Sequence, residues 1–396
     1  MKLKALTIGL AMSFPLLASA QGTSVTLYGN IDTAIEYVNN IATYNELGER
    51  TGKKSSTHFT NLTQSWPSYW GLRGEEKLSD GLSAVFALES GFNAGTGQSG
   101  QGGRLFGRQA WVGLKGDWGQ FAMGRQYNML FWGLMNADIM GPNAYGLGTL
   151  DSYIPNARMD NAVTYRGSFD GFKVGAAYSF GRDNATTGGP AATNCGTDYT
   201  SNSTCTAYSF MLGYDAPDWG VAAAYDVIKG GYNVGGIGTT WGGLYNDSQK
   251  DRRIMANAYV KFDDLKVSLI YINRKNDGYF NTLGYSVPLT NAEKALGNRT
   301  DLWSLGAAYN VSPAVTIDGS VNYLKYKNAD ESSRAWYYVA RAKYAFSKRT
   351  STYISAAYMN NKGLSGFSAA GGTAGDLSPG VGRNQTAVMA GLRHSF

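Results

Sequence analysis

The feature that most constrains the fold is a unit that repeats along the chain from Ser24 onward. Each unit consists of an alternating strand, a short turn, a second strand and a longer polar or Gly-rich segment. In the first strand, Val25, Leu27 and Ile31 fall on one face, whereas the carboxylate of Asp32 falls on the other. Apolar residues at every second position indicate strands, because a helix would group them differently. The repetition therefore predicts an antiparallel all-β fold built from hairpins.

Short turns and long segments alternate between the predicted strands. The seven short turns lie at Ser79-Asp80-Gly81, Asp117-Trp118-Gly119, Phe169-Asp170-Gly171, Pro217-Asp218-Trp219-Gly220, Asp263-Asp264, Ser312-Pro313 and Ser347-Lys348-Arg349. The eight longer segments lie near 40–66, 93–103, 128–157, 183–204, 231–250, 276–299, 327–333 and 361–383. Fifteen connections join sixteen strands of about 10–12 residues, the length that crosses a bilayer when tilted. One end with short turns and one with long loops predicts a 16-stranded antiparallel transmembrane β-barrel.

The composition agrees with a barrel whose interior is wet. No segment after the N-terminus approaches about 18 consecutive apolar residues, which excludes a helical membrane protein. The apolar fraction of 43% and the mean hydropathy of −0.27 fit strands of which only alternate residues face lipid. Tyr338 and Ala340 alternate with Arg341 and Lys343. An arginine facing lipid at the bilayer midplane would cost roughly 2–4 kcal/mol, so we expect the charged face to line a water-filled lumen.

The N-terminus has the pattern of an export signal. Lys2 and Lys4 precede an apolar run that ends at Ala18-Ser19-Ala20, a small-residue cleavage site. A membrane anchor is the weaker interpretation, because the run is short and Pro15 interrupts it. We therefore expect residues 1–20 to be a signal peptide and residues 21–396 to be one barrel domain. Export and a final alternating strand that ends on Phe396 favour the bacterial outer membrane.

Two cysteines, Cys195 and Cys205, lie in one of the long polar segments. An exported protein with a single possible pairing is expected to form a disulfide that closes a loop. A catalytic thiol would need a basic neighbour that lowers its pKa, and none is close in sequence.

Five stretches along the mature chain resemble the trimeric general porins of Gram-negative bacteria, specifically the β-proteobacterial kind. They are SVTLYGNIDTAIEYV (24–38), YWGLRGEEKLSDGLSAVFALESGFN (69–93), GRQAWVGLKGDWGQFAMGRQY (107–127), RMDNAVTYRGSFDGFKVGAAYSF (158–180) and GLRHSF (391–396). The resemblance implies a homotrimer of passive pores for inorganic ions and small hydrophilic solutes, set among outer-membrane lipid and lipopolysaccharide. It also implies that Phe396 is an assembly signal for the barrel-assembly machinery. It implies no cofactor, metal or nucleic-acid partner.

The resemblance further implies that the third long segment, 128–157, folds inward and narrows the pore. Its many apolar residues, which include Trp132 and Met135, are unusual for a loop in water and favour packing of the segment on the barrel wall. Its two acidic residues would face arginines on the wall, although both could instead cap turns. The predicted constriction residues are Asp138 and Asp151 on the loop and Arg73, Arg108, Arg125, Arg158 and Arg166 on the wall. Alternation supports Arg73, Arg158 and Arg166, whereas Arg108 and Arg125 share a face with apolar neighbours, so their orientation stays open.

Basic residues facing the lumen predict mild anion selectivity, although Lys and Arg near strand ends could instead meet lipopolysaccharide phosphates. A channel specific for a sugar or an organic anion is the main alternative, and an adhesin role of the long loops is compatible with either. An outer-membrane enzyme is disfavoured, because the two histidines, His58 and His394, are predicted at opposite membrane faces. No hydrolase, metalloprotease or phosphate-binding motif is present, so no catalytic residue is predicted.

Overall fold

The computed structural model describes residues 24–60, 63–151, 153–154, 157–181, 205–230, 248–277, 299–327, 332–371 and 377–396. In this part of the chain, seventeen strands form a single sheet. They are β1 (Ser24–Tyr44), β2 (Arg50–Phe59), β3 (Tyr69–Ser79), β4 (Leu82–Gly91), β5 (Gln109–Gly116), β6 (Gly119–Tyr127), β7 (Arg158–Phe169), β8 (Phe172–Ser179), β9 (Ala207–Asp215), β10 (Trp219–Lys229), β11 (Lys250–Phe262), β12 (Leu265–Asn276), β13 (Arg299–Asn310), β14 (Val315–Lys327), β15 (Ser332–Ala345), β16 (Thr350–Lys362) and β17 (Gln385–Ser395).

The sheet closes on itself because β1 is hydrogen-bonded on both edges. On one edge β1 pairs with β17, and Asn30 lies opposite Ser395. On the other edge β3 pairs with the first part of β1 and β2 pairs with its second part, so β2 and β3 lie end to end. Seventeen strands therefore occupy sixteen positions around the barrel, which confirms the predicted closed 16-stranded antiparallel fold.

The prediction that residues near 40–66 form one long loop was wrong. β1 continues to Tyr44 and β2 returns from Arg50, so the connection between them is only 45–49. β2 ends at Phe59 and β3 begins at Tyr69, so the strand position that they share is interrupted between them. The buried side chains in this interval, which include Gln64 and Ser65, contact other elements. The residues of β2 are mostly polar and show too little alternation of apolar and polar side chains to predict a strand from sequence alone.

The strand faces follow the predicted alternation. On β14, Ile317 is 52% exposed on the outer face, whereas Asp318 and Asn322 are buried on the inner face. On β15, Trp336 and Tyr338 are exposed and Arg341 is buried. Apolar side chains therefore cover the outside of the barrel, and polar side chains line the inside, which is the arrangement of a barrel in a membrane.

The remaining elements are short. The described residues include α1 (Gly100–Gly103), α2 (Met129–Leu134) and a 3-10 helix (Leu147–Thr149). None of these helices is long and apolar enough to cross a membrane. The seven predicted short turns, for example the one at Asp263-Asp264 between β11 and β12, lie at one end of the barrel, whereas the connection 45–49 lies at the other. The segment 128–157 leaves β6 and enters β7 at the other end, so it starts from the rim with the long loops.

Candidate functional site: the narrow part of the lumen

Segment 128–157 packs first against the inner face of β9 to β11. Asn128 caps the N-terminus of its helix α2, because the side-chain oxygen of Asn128 accepts a hydrogen bond from the backbone amide of Phe131 at 3.0 Å. The amide of Met129 donates to the hydroxyl of Ser209 at 3.1 Å. The side-chain amide of Asn257 donates to the carbonyl of Gly133 at 2.8 Å. These bonds hold the helix against wall residues that point into the barrel.

The second half of the same segment reaches the opposite side of the interior. The hydroxyl of Tyr145 donates to the buried carboxylate of Glu36 on β1 at 2.5 Å. The amide of Ala144 donates to the carbonyl of Gln64 at 2.8 Å. Because one segment contacts β9 to β11 and β1, it spans the lumen between them. Its apolar residues are therefore covered by the wall, which explains why a loop can carry them.

A buried group of four charges ties the end of this segment to β11 and β12. Arg253 donates two hydrogen bonds to Asp151, at 2.8 and 3.0 Å. Asp251 binds Arg253 at 3.2 Å and Arg274 at 2.7 Å. Burial alone would raise the pKa of Asp151, but the cations of Arg253 and Arg274 outweigh that effect and lower it. Asp151 therefore stays ionised and holds the segment in place.

Residues 63–68 form a second segment inside the barrel, which we call the β2–β3 insert. Asp32 on β1 fixes it, because its carboxylate accepts hydrogen bonds from the Ser65 hydroxyl at 2.6 Å and from the Trp66 amide at 2.9 Å. The side chain of Asn30 also donates to the carbonyl of Pro67 at 3.0 Å. The insert thereby places the Trp66 indole in the lumen beside segment 128–157.

A cavity of about 200 Å³ lies between the insert and the third long segment. One side is apolar, formed by Trp66 and by residues of segment 128–157 such as Phe131, Met135 and Ile139. The other side is basic. It is formed by three cations of the barrel wall: Arg341, Lys343 and Arg393. Among the described residues, Asp138 on the loop side is the one carboxylate that lines this cavity.

Asp138 is therefore the loop carboxylate that lies at the lumen. The amide of Met140 donates to it at 3.2 Å, and the side chain keeps partial contact with solvent. Burial among loop residues raises the pKa of Asp138 to about 7, although Arg341 and Lys266 act in the opposite direction. Its charge therefore changes in the neutral pH range. The other predicted loop carboxylate, Asp151, is engaged with Arg253 and does not line this cavity.

Arg108 and Arg158 meet at a different place, around the Tyr127 ring. The hydroxyl of Tyr127 accepts hydrogen bonds from Arg108 at 2.9 Å and from Arg158 at 2.6 Å. Arg108 also pairs with Glu89 at 3.1 Å and lies over the ring of Tyr69. Phe131 of α2 stacks on Tyr127. Both arginines are buried, so the start of the third long segment covers them on the lumen side.

The other three predicted arginines occupy three separate surroundings. Arg166 lies over the indole of Trp132 at 3.8 Å and is partly exposed. Arg73 is exposed and lies over the Tyr28 ring at 5.0 Å. Arg125 binds Asp160 at 2.5 Å and the carbonyl of Gly107 at 2.8 Å. A register shift between Gly124 and Gln126 interrupts β6 at this point. The structure therefore brings Arg108 and Arg158 together on Tyr127, with Arg125 close enough to interact electrostatically with Arg158, but it does not bring the five arginines into one cluster.

Sequence reasoning missed Arg393 and Trp66 as candidate residues. The signal for Arg393 was present, because it shares a strand face with Gln385, Ala387 and Met389, all of which are buried on the inner side. Lys343 was correctly predicted to face the lumen, but it was not predicted as a constriction residue. Trp66 had no such signal, since it lies in an insert without periodicity.

Two further predicted sites are the cysteine pair and Phe396. Cys205 is disulfide-bonded, and Cys195 lies outside the described residues. Phe396 and Gly29 exchange two backbone hydrogen bonds at 3.1 Å, next to the pairing of β1 with β17. A side chain at Gly29 would meet the Phe396 ring at 2.5 Å, so the ring packs directly on the glycine.

Comparison with known proteins identifies the family of this barrel. A sequence profile described as Gram-negative porin matches residues 5–364. An outer membrane porin protein of Bordetella pertussis is 31% identical over alignments that cover 100% of both chains. An anion-selective porin from Comamonas acidovorans superposes with a TM-score of 0.69 at 23% identity, covering 95% of this chain and 100% of that one. OmpT of Vibrio cholerae in its trimer form superposes with a TM-score of 0.61 at 16% identity, covering 95% and 100%. With the closed barrel and its lined lumen, these matches show that the chain belongs to the family of Gram-negative porins.

Proposed function

We propose that the protein is a general diffusion porin of the outer membrane whose water-filled channel favours small anions mildly. The observation that carries the selectivity is the lining of the cavity beside Trp66. Three cations, Arg341, Lys343 and Arg393, face a single carboxylate, Asp138. A solute in this narrow part crosses a field between the basic wall and the acidic loop. The excess of positive charge draws anions in.

The preference is expected to be mild because part of the positive charge is already neutralised. Asp318 binds Arg341 at 2.8 Å and Lys343 at 2.9 Å. Farther along the lumen, Arg73 and Arg166 add exposed positive charge, which supports a role for them in attracting anions. Arg108, Arg158 and Arg125 have protein partners and are proposed to act mainly by holding the wall around the loop.

Reversal potentials in a KCl gradient test this function. The purified protein is reconstituted in planar bilayers, and we expect a potential whose sign reports chloride preference, with conductance proportional to salt. A potential that reports potassium preference would overturn the proposed selectivity. Channels that bind one solute so tightly that salt conductance saturates would favour the solute-specific alternative instead.

We propose that three barrels assemble as a homotrimer, as the resemblance implies and as the trimer form of the Vibrio cholerae protein supports. Each barrel exposes apolar residues on β1, such as Ile31 and Ile35, that either lipid or a neighbouring subunit could cover. Migration on a gel without heating tests the assembly. We expect a slow band that converts to a monomer on boiling, and a single monomer band before boiling would contradict it.

The remaining expectations concern export and assembly. We propose that residues 1–20 are removed on export, so mass spectrometry of the purified protein is expected to show a chain starting at Gln21. We also propose that Phe396 is recognised by the barrel-assembly machinery and that lipopolysaccharide surrounds the barrel.

We prefer a channel role to an enzymatic one because the two histidines have different partners on different strands. His58 pairs with Glu36 at 3.1 Å, and His394 pairs with Thr350 at 2.9 Å. The two imidazoles therefore do not form a shared catalytic site.

A further inference from the structure

We propose that the cavity beside Trp66 is a binding subsite for small aromatic carboxylates, which the pore therefore takes up better than other anions of similar size. The inference rests on the proposed function, because a solute reaches this cavity only through the open lumen. It goes further by naming a class of solute. Four observations support it: the free donors of Arg393, the net positive charge that Arg341 and Lys343 keep beside Asp318, the fixed indole of Trp66, and the apolar loop residues that line the cavity.

Arg393 supplies the donors for a carboxylate. Its Nε donates to the side-chain oxygen of Asn30 at 2.7 Å, and its guanidinium lies over the Trp66 ring at 4.9 Å. Its two terminal nitrogens have no hydrogen-bond or ion-pair partner among the residues that the structure describes. Two parallel N–H donors of a guanidinium fit the two oxygens of a carboxylate, which makes this group a ready anion receptor.

Arg341 and Lys343 leave the same side of the cavity positively charged. Both bind the one carboxylate of Asp318, and the Lys343 side chain is 36% exposed. One negative charge therefore offsets only one of the two positive charges. Asp138 lies on the loop side, so it repels an anion toward the basic wall and orients the carboxylate of a bound solute.

Trp66 presents a flat apolar surface that cannot easily move away. Its backbone amide is bound to Asp32, and its ring lies against Gly141. A Cβ at Gly141 would come within 2.9 Å of the ring, so only a glycine permits this approach, and its φ of +63° also favours glycine. An indole held in this way can stack on a second aromatic ring without losing side-chain entropy.

The loop side of the cavity selects the body of the solute. Phe131, Met135 and Ile139 line it, and none of these side chains has a hydrogen-bond donor for a polyol. A sugar would therefore leave hydroxyl groups unpaired there, whereas an aromatic ring would be covered by apolar side chains. A short carboxylate such as acetate would meet Arg393 but would not use Trp66. Benzoate has both the charge and the ring.

Current noise during benzoate addition tests the subsite. Single channels are recorded in KCl while sodium benzoate is added, with acetate and benzyl alcohol as probes that have only the charge or only the ring. We expect benzoate to cause brief, concentration-dependent reductions of the current, and the two other probes to cause none at equal concentration. Equal effects of benzoate and acetate would overturn the proposal.

Three variants identify the residues. In Arg393→Gln and in Trp66→Leu we expect the apparent dissociation constant for benzoate to rise about tenfold, since each loses a contact of roughly 1–2 kcal/mol. Trp66→Phe keeps a ring and is expected to retain most of the affinity. Arg349→Gln removes an exposed positive charge from a short turn away from the cavity and is the matched control. Unchanged affinity in both first variants would remove the site from this cavity.

The same recordings separate this inference from the proposed function. If the protein forms no anion-preferring channel in KCl alone, the general function fails before benzoate is added. If the channel opens and prefers chloride but ignores benzoate, only the subsite fails. Heat-dependent gel migration checks that each variant is folded.

Discussion

Arg253 on β11 donates two hydrogen bonds, at 2.8 and 3.0 Å, to Asp151 at the end of the third long segment. The two residues are 102 positions apart in sequence, and the arginine is fully buried. The pair is therefore a bond between the loop and the wall. The position of the loop in the lumen depends on it.

Asp151→Asn is expected to loosen this loop. The substitution leaves the buried cation of Arg253 with Asp251 alone, and breaking a buried pair typically costs about 3–5 kcal/mol. We expect single channels with larger current fluctuations and a lower temperature of conversion to the unfolded band on gels. Asp80→Asn removes an exposed carboxylate that pairs with Lys77 and serves as the control. If the variant shows the same current fluctuations and the same conversion temperature as the parent, the pair does not hold the loop.

Raising the pH through about 7 is expected to weaken the anion preference. The pKa of Asp138 is raised to about 7, so its carboxyl group is neutral below this pH and negatively charged above it. Ionisation adds one negative charge to the cavity that Arg341, Lys343 and Arg393 line, and this charge attracts cations. Reversal potentials at pH 5 and pH 9 measure the change. In Asp138→Asn the two values should coincide, and a pH dependence that persists there would assign it to another group.

Lys343→Gln is expected to lower the chloride preference more than Arg158→Gln does. Lys343 lines the cavity and is partly exposed, whereas Arg158 is buried under the aromatic rings at the start of the loop. One exposed charge is worth about 0.5–1 kcal/mol to a nearby ion, which corresponds to a roughly two- to fivefold change in the permeability ratio. Both ratios come from KCl gradients. A larger loss of chloride preference in Arg158→Gln than in Lys343→Gln would show that Arg158 lines the path of the ions.

Gly29→Val is expected to impair barrel assembly in the same way as deletion of Phe396. A side chain at Gly29 would meet the Phe396 ring at 2.5 Å and the carbonyl of Tyr69 at 2.7 Å, so the junction of β1 with β3 and β17 would be forced apart. The yield of heat-modifiable protein in outer membranes measures assembly. Gly52→Ala, where the new Cβ would lie 3.2 Å from Thr43 Oγ1, is the control in β2. Normal yield for Gly29→Val would show that the closure tolerates a displaced ring.

Local pattern predicted much of this barrel because strand faces are a local property. The alternation of Ile317 with Asp318 gave the correct lumen face, and the apolar content of segment 128–157 marked the element that packs inside. Alternation also shows which way a side chain points. It does not show whether another element covers that side chain, and for this reason Arg158 and Arg393 looked alike in sequence although only Arg393 lines the cavity.

The β2–β3 insert could not be predicted for a different reason. Its position depends on bonds between residues far apart in sequence, such as the hydroxyl of Ser65 to Asp32 and the amide of Ser65 to Tyr353, 288 positions away. No periodicity records such contacts. The same holds for the pairing of Asp151 with Arg253, because sequence shows a loop carboxylate but not its partner.

The closure between β1 and β17 also governs how the chain must fold. The side chains of Asn30 and Ser395 meet across 365 positions, so one edge of β1 has no partner until the final strand is in place. Bringing together ends so distant is slow, because the chain entropy is lost before the contact is formed. During that interval both edges of an otherwise complete sheet are open to pairing with another chain. We therefore expect the closure of β17 on β1 to be the slow step of folding, and a delay there to expose the nascent barrel to aggregation.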